Sequence, residues 1–142
     1  MIELPQKENI EKASILDIPS EGVSFGGYLR SVRKARGLSV RDLARAVHKT
    51  ATYISDIENG NNKPPDKPLL DAIINELGLF HYPKIQNRLF DLAGLERHDV
   101  PADIKEYIIE NSWLISAMRT LKFYPCKEQD IKKILLSDMM EE

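Results

Sequence analysis

Apolar residues recur at spacings of three and four along most of this chain, and the period-two alternation of a half-buried strand is almost absent. From Ser24, a suitable N-cap, Phe25, Leu29 and Val32 share one helical face, and Gly37 follows a basic last turn, "RKARG". Gly26 and Gly27 weaken the first turn of that helix. Ser39 caps a second helix with Val40, Leu43, Ala44 and Val47 aligned, and Asp42 stands where a capping-box acid belongs. After a short break, Ala51, Ile54 and Ile57 stripe a third segment from about Thr50 to Asn59, stopped at Gly60. The loop "NNKPPDKP" follows, then a helix on Leu69, Leu70, Ile73, Ile74 and Leu77, ended by Gly78. A fifth helix, "YPKIQNRLFDLAG", aligns Ile85, Leu89 and Leu92, with Gly94 as its expected stop. Residues 103–121 read as helical with a break near Asn111–Ser112, and residues 127–140 as a last helix on Ile131, Ile134, Leu135 and Met139. Residues 1–20, with Pro5 and Pro19, have weak periodicity and read as an arm carrying a short helix near residues 8–16. The expected class is all-α. The expected division is an arm (1–23), a core domain (24–95) and a C-terminal helical extension (96–142).

Composition narrows the function classes. Apolar residues are 42% and charged residues 30%, which places the chain among ordinary soluble globular domains. No apolar run of membrane-spanning length occurs, and "MIELPQKENIEK" lacks the layout of a signal peptide. The single cysteine, Cys126, cannot form an internal disulfide, so a reducing cytoplasm is the expected location and packing its expected role. His48, His81 and His98 are scattered without metal-ligand spacing, and no Gly-rich phosphate loop or Ser/His/Asp arrangement is found. Neither catalysis nor a metal or other cofactor is expected.

The net charge of −2 conceals a local excess. Residues 24–66 carry eight basic side chains (Arg30, Arg33, Lys34, Arg36, Arg41, Arg45, Lys49, Lys63) against four acidic ones. The flanking segments are each net acidic. A basic stretch between acidic ones points to an anion-binding surface, although solvated helix faces produce the same excess.

Residues 38–60, "LSVRDLARAVHKTATYISDIENG", read as two short helices around a tight break. Ala44 is small enough for the two to cross closely, and Val47, Ile54 and Ile57 are spaced to bury at the crossing. The second helix then turns Thr50, Thr52, Tyr53, Ser55, Asp56 and Asn59 outward, as a helix entering a DNA major groove would. Leu38-Ser39, Leu43-Ala44, Val47, Ile54-Ser55, Ile57-Glu58, Asn59-Gly60 and the "KPP" from Lys63 resemble the phage repressor and Cro-type helix-turn-helix family. That resemblance implies a five-helix, lambda-repressor-like domain over about residues 25–79. It also implies an ion pair from Arg33 in the first helix to Glu58 at the end of the recognition helix. "YISDIENGNNKPP", "LFDLAG", "DIKEYI" and "MRTLK" are similar to small regulators of Gram-positive mobile elements. Two positions depart from the family: His48 replaces a turn glycine, where positive φ would strain it, and Val40 replaces a glutamine able to bond the DNA backbone.

The recognition helix poses a problem, because Thr50 to Gly60 contains no Lys or Arg and two acids, Asp56 and Glu58. Base reading is expected from Thr50, Ala51, Thr52, Tyr53, Ser55 and Asp56, through methyl contacts, hydroxyls and a carboxylate able to accept from cytosine N4. Phosphate positioning is expected from Ser39, Arg41, Lys49, Asn59, Asn61 and Lys63 on the flanks. Such modest contacts call for a homodimer on half-sites about 34 Å apart. Residues 102–142, with Trp113, Leu114, Ile115, Met118, Leu121, Ile131, Ile134 and Leu135, supply apolar material for it, unless that material completes the monomer core. The rival expectation is a helix-turn-helix module that mainly holds a partner protein, as an antitoxin or antirepressor target would.

Overall fold

The computed structural model describes residues 15, 18, 19, 22–124 and 126–140. The helix expected near residues 8–16 lies, apart from Ile15, outside them. Among the described residues there are eight helices and no strand, so the chain is all-α as its periodicity predicts. They are α1 (Phe25–Ala35), α2 (Val40–Ala46), α3 (Ala51–Glu58), α4 (Lys67–Glu76), α5 (Pro83–Arg97), α6 (Ala102–Glu110), α7 (Trp113–Phe123) and α8 (Glu128–Met140). The chain divides into two compact units, residues 1–104 and 105–142.

Local chemistry starts and stops the helices of the first unit. The side chains of Ser24, Thr50 and Asp66 accept backbone N–H groups three residues on, at 3.0, 3.1 and 3.2 Å, and so satisfy donors that α1, α3 and α4 would otherwise leave orphaned. Ser39 and Asp42 form a reciprocal capping box at the start of α2. Gly37, Gly60 and Gly78 follow α1, α3 and α4 with φ of 73°, 79° and 65°, the left-handed conformation that glycine adopts without Cβ strain.

One core unites α1 to α5. Leu29, Val32, Leu43, Ile54, Ile73 and Leu89 are fully buried in it, one or two from each helix. Ile15 also lies in this core, and Ile18 and Val23 pack against it. Ala44 is buried where α2 and α3 meet. Gly26 is buried where α1 passes α3, and a Cβ there would stand 2.5 Å from the Glu58 carbonyl oxygen and closer still to that of Ile57. The glycine that weakens the start of α1 is therefore what allows α1 to pack backbone-to-backbone on the end of α3.

Gly94 does not stop the fifth helix as expected. α5 continues to Arg97, and its C-cap is His98 at φ 53°. Gly94 lies buried inside it because the following chain folds back, bringing the Asp99 carbonyl within 3.0 Å of where a Cβ would be.

In the second unit the break falls at Asn111–Ser112 as its sequence predicts, with the Asn111 side chain donating to the Tyr107 carbonyl at 2.9 Å. Neither α6 nor α7 contains a buried residue. Tyr107, Ile109, Trp113, Phe123, Ile134 and Leu135 are all exposed.

Candidate nucleic-acid interface

α2 and α3 are joined through a turn in which His48 adopts φ 59°, the conformation foreseen as strained for a residue with a Cβ. The Lys49 N–H donates back to the Ala44 carbonyl at 2.8 Å, and Thr50 caps α3. Ile54 and Ile57 bury the inner face of α3.

Glu58 is also buried, and its carboxylate faces the scaffold rather than solvent. Arg33 grips it with a two-pronged fork: Nε donates to Oε2 at 2.7 Å and Nη2 to Oε1 at 2.9 Å. Arg33 Nη1 donates to the Leu38 carbonyl at 2.8 Å, so one guanidinium ties α1, the α1–α2 loop and α3 together. Arg30, partly exposed, donates from Nε to the same Glu58 Oε1 at 3.3 Å and from Nη2 to Asn59 Oδ1. A buried pair like this contributes little net stability, but losing one partner strands a charge at a cost of about 3–5 kcal/mol. It fixes the placement of α3 more than it stabilises the fold.

Ala51, Thr52, Ser55 and Asp56 occupy the opposite face of α3, each exposed or half-buried. Four expected contact residues, Thr50, Tyr53, Ser55 and Asn59, have other engagements. Thr50 Oγ1 accepts the Tyr53 N–H as the helix cap. Tyr53 sits on the flank: it packs against the core, with Lys49 Nζ 5.5 Å from its ring centroid. Asn59 accepts from Arg30 and donates to Ser55 Oγ at 3.3 Å, so its amide links the end of α3 to α1.

Among the positioning candidates, Arg41, Lys49, Asn61 and Lys63 are exposed. Ser39 is engaged with α2: its N–H donates to Asp42 Oδ2 at 3.1 Å, and its hydroxyl accepts the Asp42 N–H at 3.0 Å. The Ser39 backbone N–H, then the Ser39 hydroxyl and then Arg45, hold the Asp42 carboxyl below the usual aspartate value. The helix end proposed to meet phosphate thus carries its own carboxylate.

Two residues at this surface escape sequence reasoning. Arg30 had a signal, since it sits one helical turn before Arg33 on α1. Arg97 had none. It donates from the end of α5 to the Pro64 carbonyl and lines the same concave surface as Lys49, Tyr53 and Lys63. Its neighbour Glu96 accepts the Phe25 N–H at 2.8 Å, capping α1 from the far end of the unit.

A family profile described as a helix-turn-helix domain matches residues 24–79, from the cap of α1 to just beyond α4. The "ImmF control region 10 kDa protein" of Bacillus phage phi105 is 31% identical over 78 residues, covering 54% of this chain and 87% of that protein. The chain belongs to the phage repressor/Cro-type helix-turn-helix family. As a member it is a DNA-binding regulator. The profile match ends before α5, although Ile85, Leu89, Phe90, Leu92 and Ala93 of α5 belong to the same core. No solved structure matches this repressor/Cro-type chain significantly. No helix among the described residues is long and apolar enough to cross a membrane.

Proposed function

We propose that this chain is a sequence-specific transcriptional repressor of the cytoplasm, binding an operator as a homodimer with α3 in the major groove. The observation that carries the reading is the division of α3. Its scaffold face is fixed by Ile54, Ile57 and the Arg33–Glu58 fork, which leaves Ala51, Thr52, Ser55 and Asp56 as a presented set. Ala and Thr methyl groups suit thymine methyls, hydroxyls suit either base edge, and Asp56 suits cytosine N4. Positive charge lies beside this set, at Arg41, Lys49 and Lys63, where phosphates flank a helix in the groove. The lambda-repressor-like domain comprises α1 to α5, about residues 24–95, and the remaining helices are an extension. The phi105 relative, named for a phage control region, is consistent with control of transcription.

The extension is the proposed dimerisation element. Residues 105–142 form a unit too small to sustain a hydrophobic core alone, since chains below about 40 residues need an additional staple or partner. Ile109, Trp113 and Ile134 are 66%, 65% and 64% exposed, more apolar surface than so small a unit leaves uncovered without use. Sedimentation equilibrium of the full chain is expected to return the dimer mass. A monomer at all accessible concentrations would remove the extension from this role.

The DNA reading is tested by selection from a random duplex pool. Wild-type protein is expected to recover one motif with two half-sites, and Asp56→Ala to relax preference at a single base pair by about 1–3 kcal/mol. A second reading, a module that mainly holds a partner protein, draws on the absence of any cation from the presented face of α3 and the presence of Asp56 there. Failure to enrich any motif at low salt would favour that reading.

A further inference from the structure

The concave surface beside α3 brings together side chains from three parts of the chain. Lys49 precedes α3, Lys63 follows it, and Arg97 closes α5; Tyr53, Pro64 and Asp66 are among the other residues of the wall. Three cations thus face one carboxylate, and that carboxylate, Asp66, already accepts the Leu69 N–H at the start of α4. The surface is built rather than incidental. The Tyr53 ring supports Lys49, whose Nζ lies 5.5 Å from the ring centroid, a contact that favours the cation electrostatically. Arg97 is anchored by its bond to the Pro64 carbonyl, which occupies only one of the five N–H donors of a guanidinium.

We propose that this concavity seats one backbone phosphate of duplex DNA, with Arg97 as a cationic ligand beside Lys49 and Lys63 and Tyr53 as the positioning residue for Lys49. The inference rests on the DNA reading above and extends it to a residue outside the matched helix-turn-helix segment. The geometry favours it because Lys49 and Lys63, just before and after α3 in the chain, line one concavity together with Tyr53 of α3. A strand backbone passes there when Ala51, Thr52, Ser55 and Asp56 face the base edges. Arg suits this role better than Lys, since its planar fork matches two phosphate oxygens at once.

The test uses the full chain and a labelled 30-bp duplex of mixed sequence, with affinity read by fluorescence anisotropy from about 50 to 200 mM salt. Each phosphate neutralised contributes about 0.9 to the slope of log affinity against log salt, and Lys49 and Lys63 remain beside the same phosphate, so Arg97→Gln is expected to lower that slope by a part of about 0.9. Arg97→Lys, which keeps the charge, is expected to retain the wild-type slope. Tyr53→Leu is expected to weaken binding at low salt, whereas Tyr53→Phe, which keeps the ring, is not. Thermal melting verifies that each variant is folded. Phenylglyoxal modification of the unmutated chain, read by mass spectrometry, gives a measure that needs no substitution: duplex DNA is expected to protect Arg97. An unchanged slope in Arg97→Gln, or an unprotected Arg97, overturns the seat and leaves Arg97 a loop anchor while the DNA reading stands. Wild-type protein that binds no duplex at low salt overturns both.

Discussion

Replacing Gly26 by alanine sets two effects of opposite sign against each other. An alanine inside a helix is favoured over glycine by about 1 kcal/mol, and less than that this close to the N-terminus of α1. Against this, the new Cβ would lie 2.5 Å from the Glu58 carbonyl oxygen, 2.8 Å from its carbonyl carbon and nearer still to the Ile57 oxygen. Comfortable contact needs about 3.5 Å, so α1 and α3 must separate by roughly 1 Å. All of the obstructing atoms are backbone, and no rotamer change relieves them. Overpacking of this kind costs about 1–3 kcal/mol, which outweighs the propensity gain. The separation also pulls on the Arg33–Glu58 fork, whose bonds of 2.7 and 2.9 Å span the same two helices. Net destabilisation of about 1–2 kcal/mol is expected, measured by urea unfolding followed by far-UV circular dichroism with an unchanged m-value. Gly27→Ala is the matched control. Its Cβ meets only the Ser24 hydroxyl, at 3.1 Å, so its effect should stay within about 0.5 kcal/mol. A Gly26→Ala protein as stable as wild type, or more stable than Gly27→Ala, would refute the close-approach argument.

Glu58→Ala is expected to destabilise by about 3–5 kcal/mol, because Arg33 would be left buried without its anion; Glu58→Gln, which keeps an acceptor, should lose less in the same unfolding assay. Asp42 gives a pH signature. Its carboxyl is held below the ordinary value of 3.8, so its contribution is complete above that pH and disappears as pH falls through the lowered value. The stability advantage of wild type over Asp42→Asn should therefore be constant near neutrality and shrink only under acid conditions. An advantage that persists unchanged in acid would remove the capping-box carboxylate as its source.

The caps at Ser24 and Ser39, the stops at Gly37, Gly60 and Gly78 and the break at Asn111–Ser112 were all legible in the sequence. Each is decided by chemistry within a few residues: a side-chain acceptor in reach of an orphan N–H, or a backbone conformation only glycine adopts freely. Gly26 and Gly94 look the same as those stops in sequence, but they serve contacts with distant segments, the end of α3 and the chain after α5. The Glu96 contact with the α1 N-terminus spans 71 residues, beyond any local pattern. Tyr53 shows the same limit on a smaller scale. It lies next to outward residues of α3, yet its ring is drawn to the flank by the core and by Lys49. Helical period separates Thr52, Ser55 and Asp56 from Ile54 and Ile57, whereas Ala51 shares the spacing of the apolar stripe and the inward Glu58 follows only from the family resemblance.

That separation makes α3 an exchangeable cassette. None of its four presented side chains belongs to the core, and none takes part in the grip on Arg33. Lineages, or designers, can rewrite those four positions while the bolts at Ile54, Ile57 and Glu58 stay in place, and under the proposed reading that redirects the protein to a new target. Drift in what is recognised need not pass through a loss of foldedness, a useful property for a regulator whose target sites also mutate.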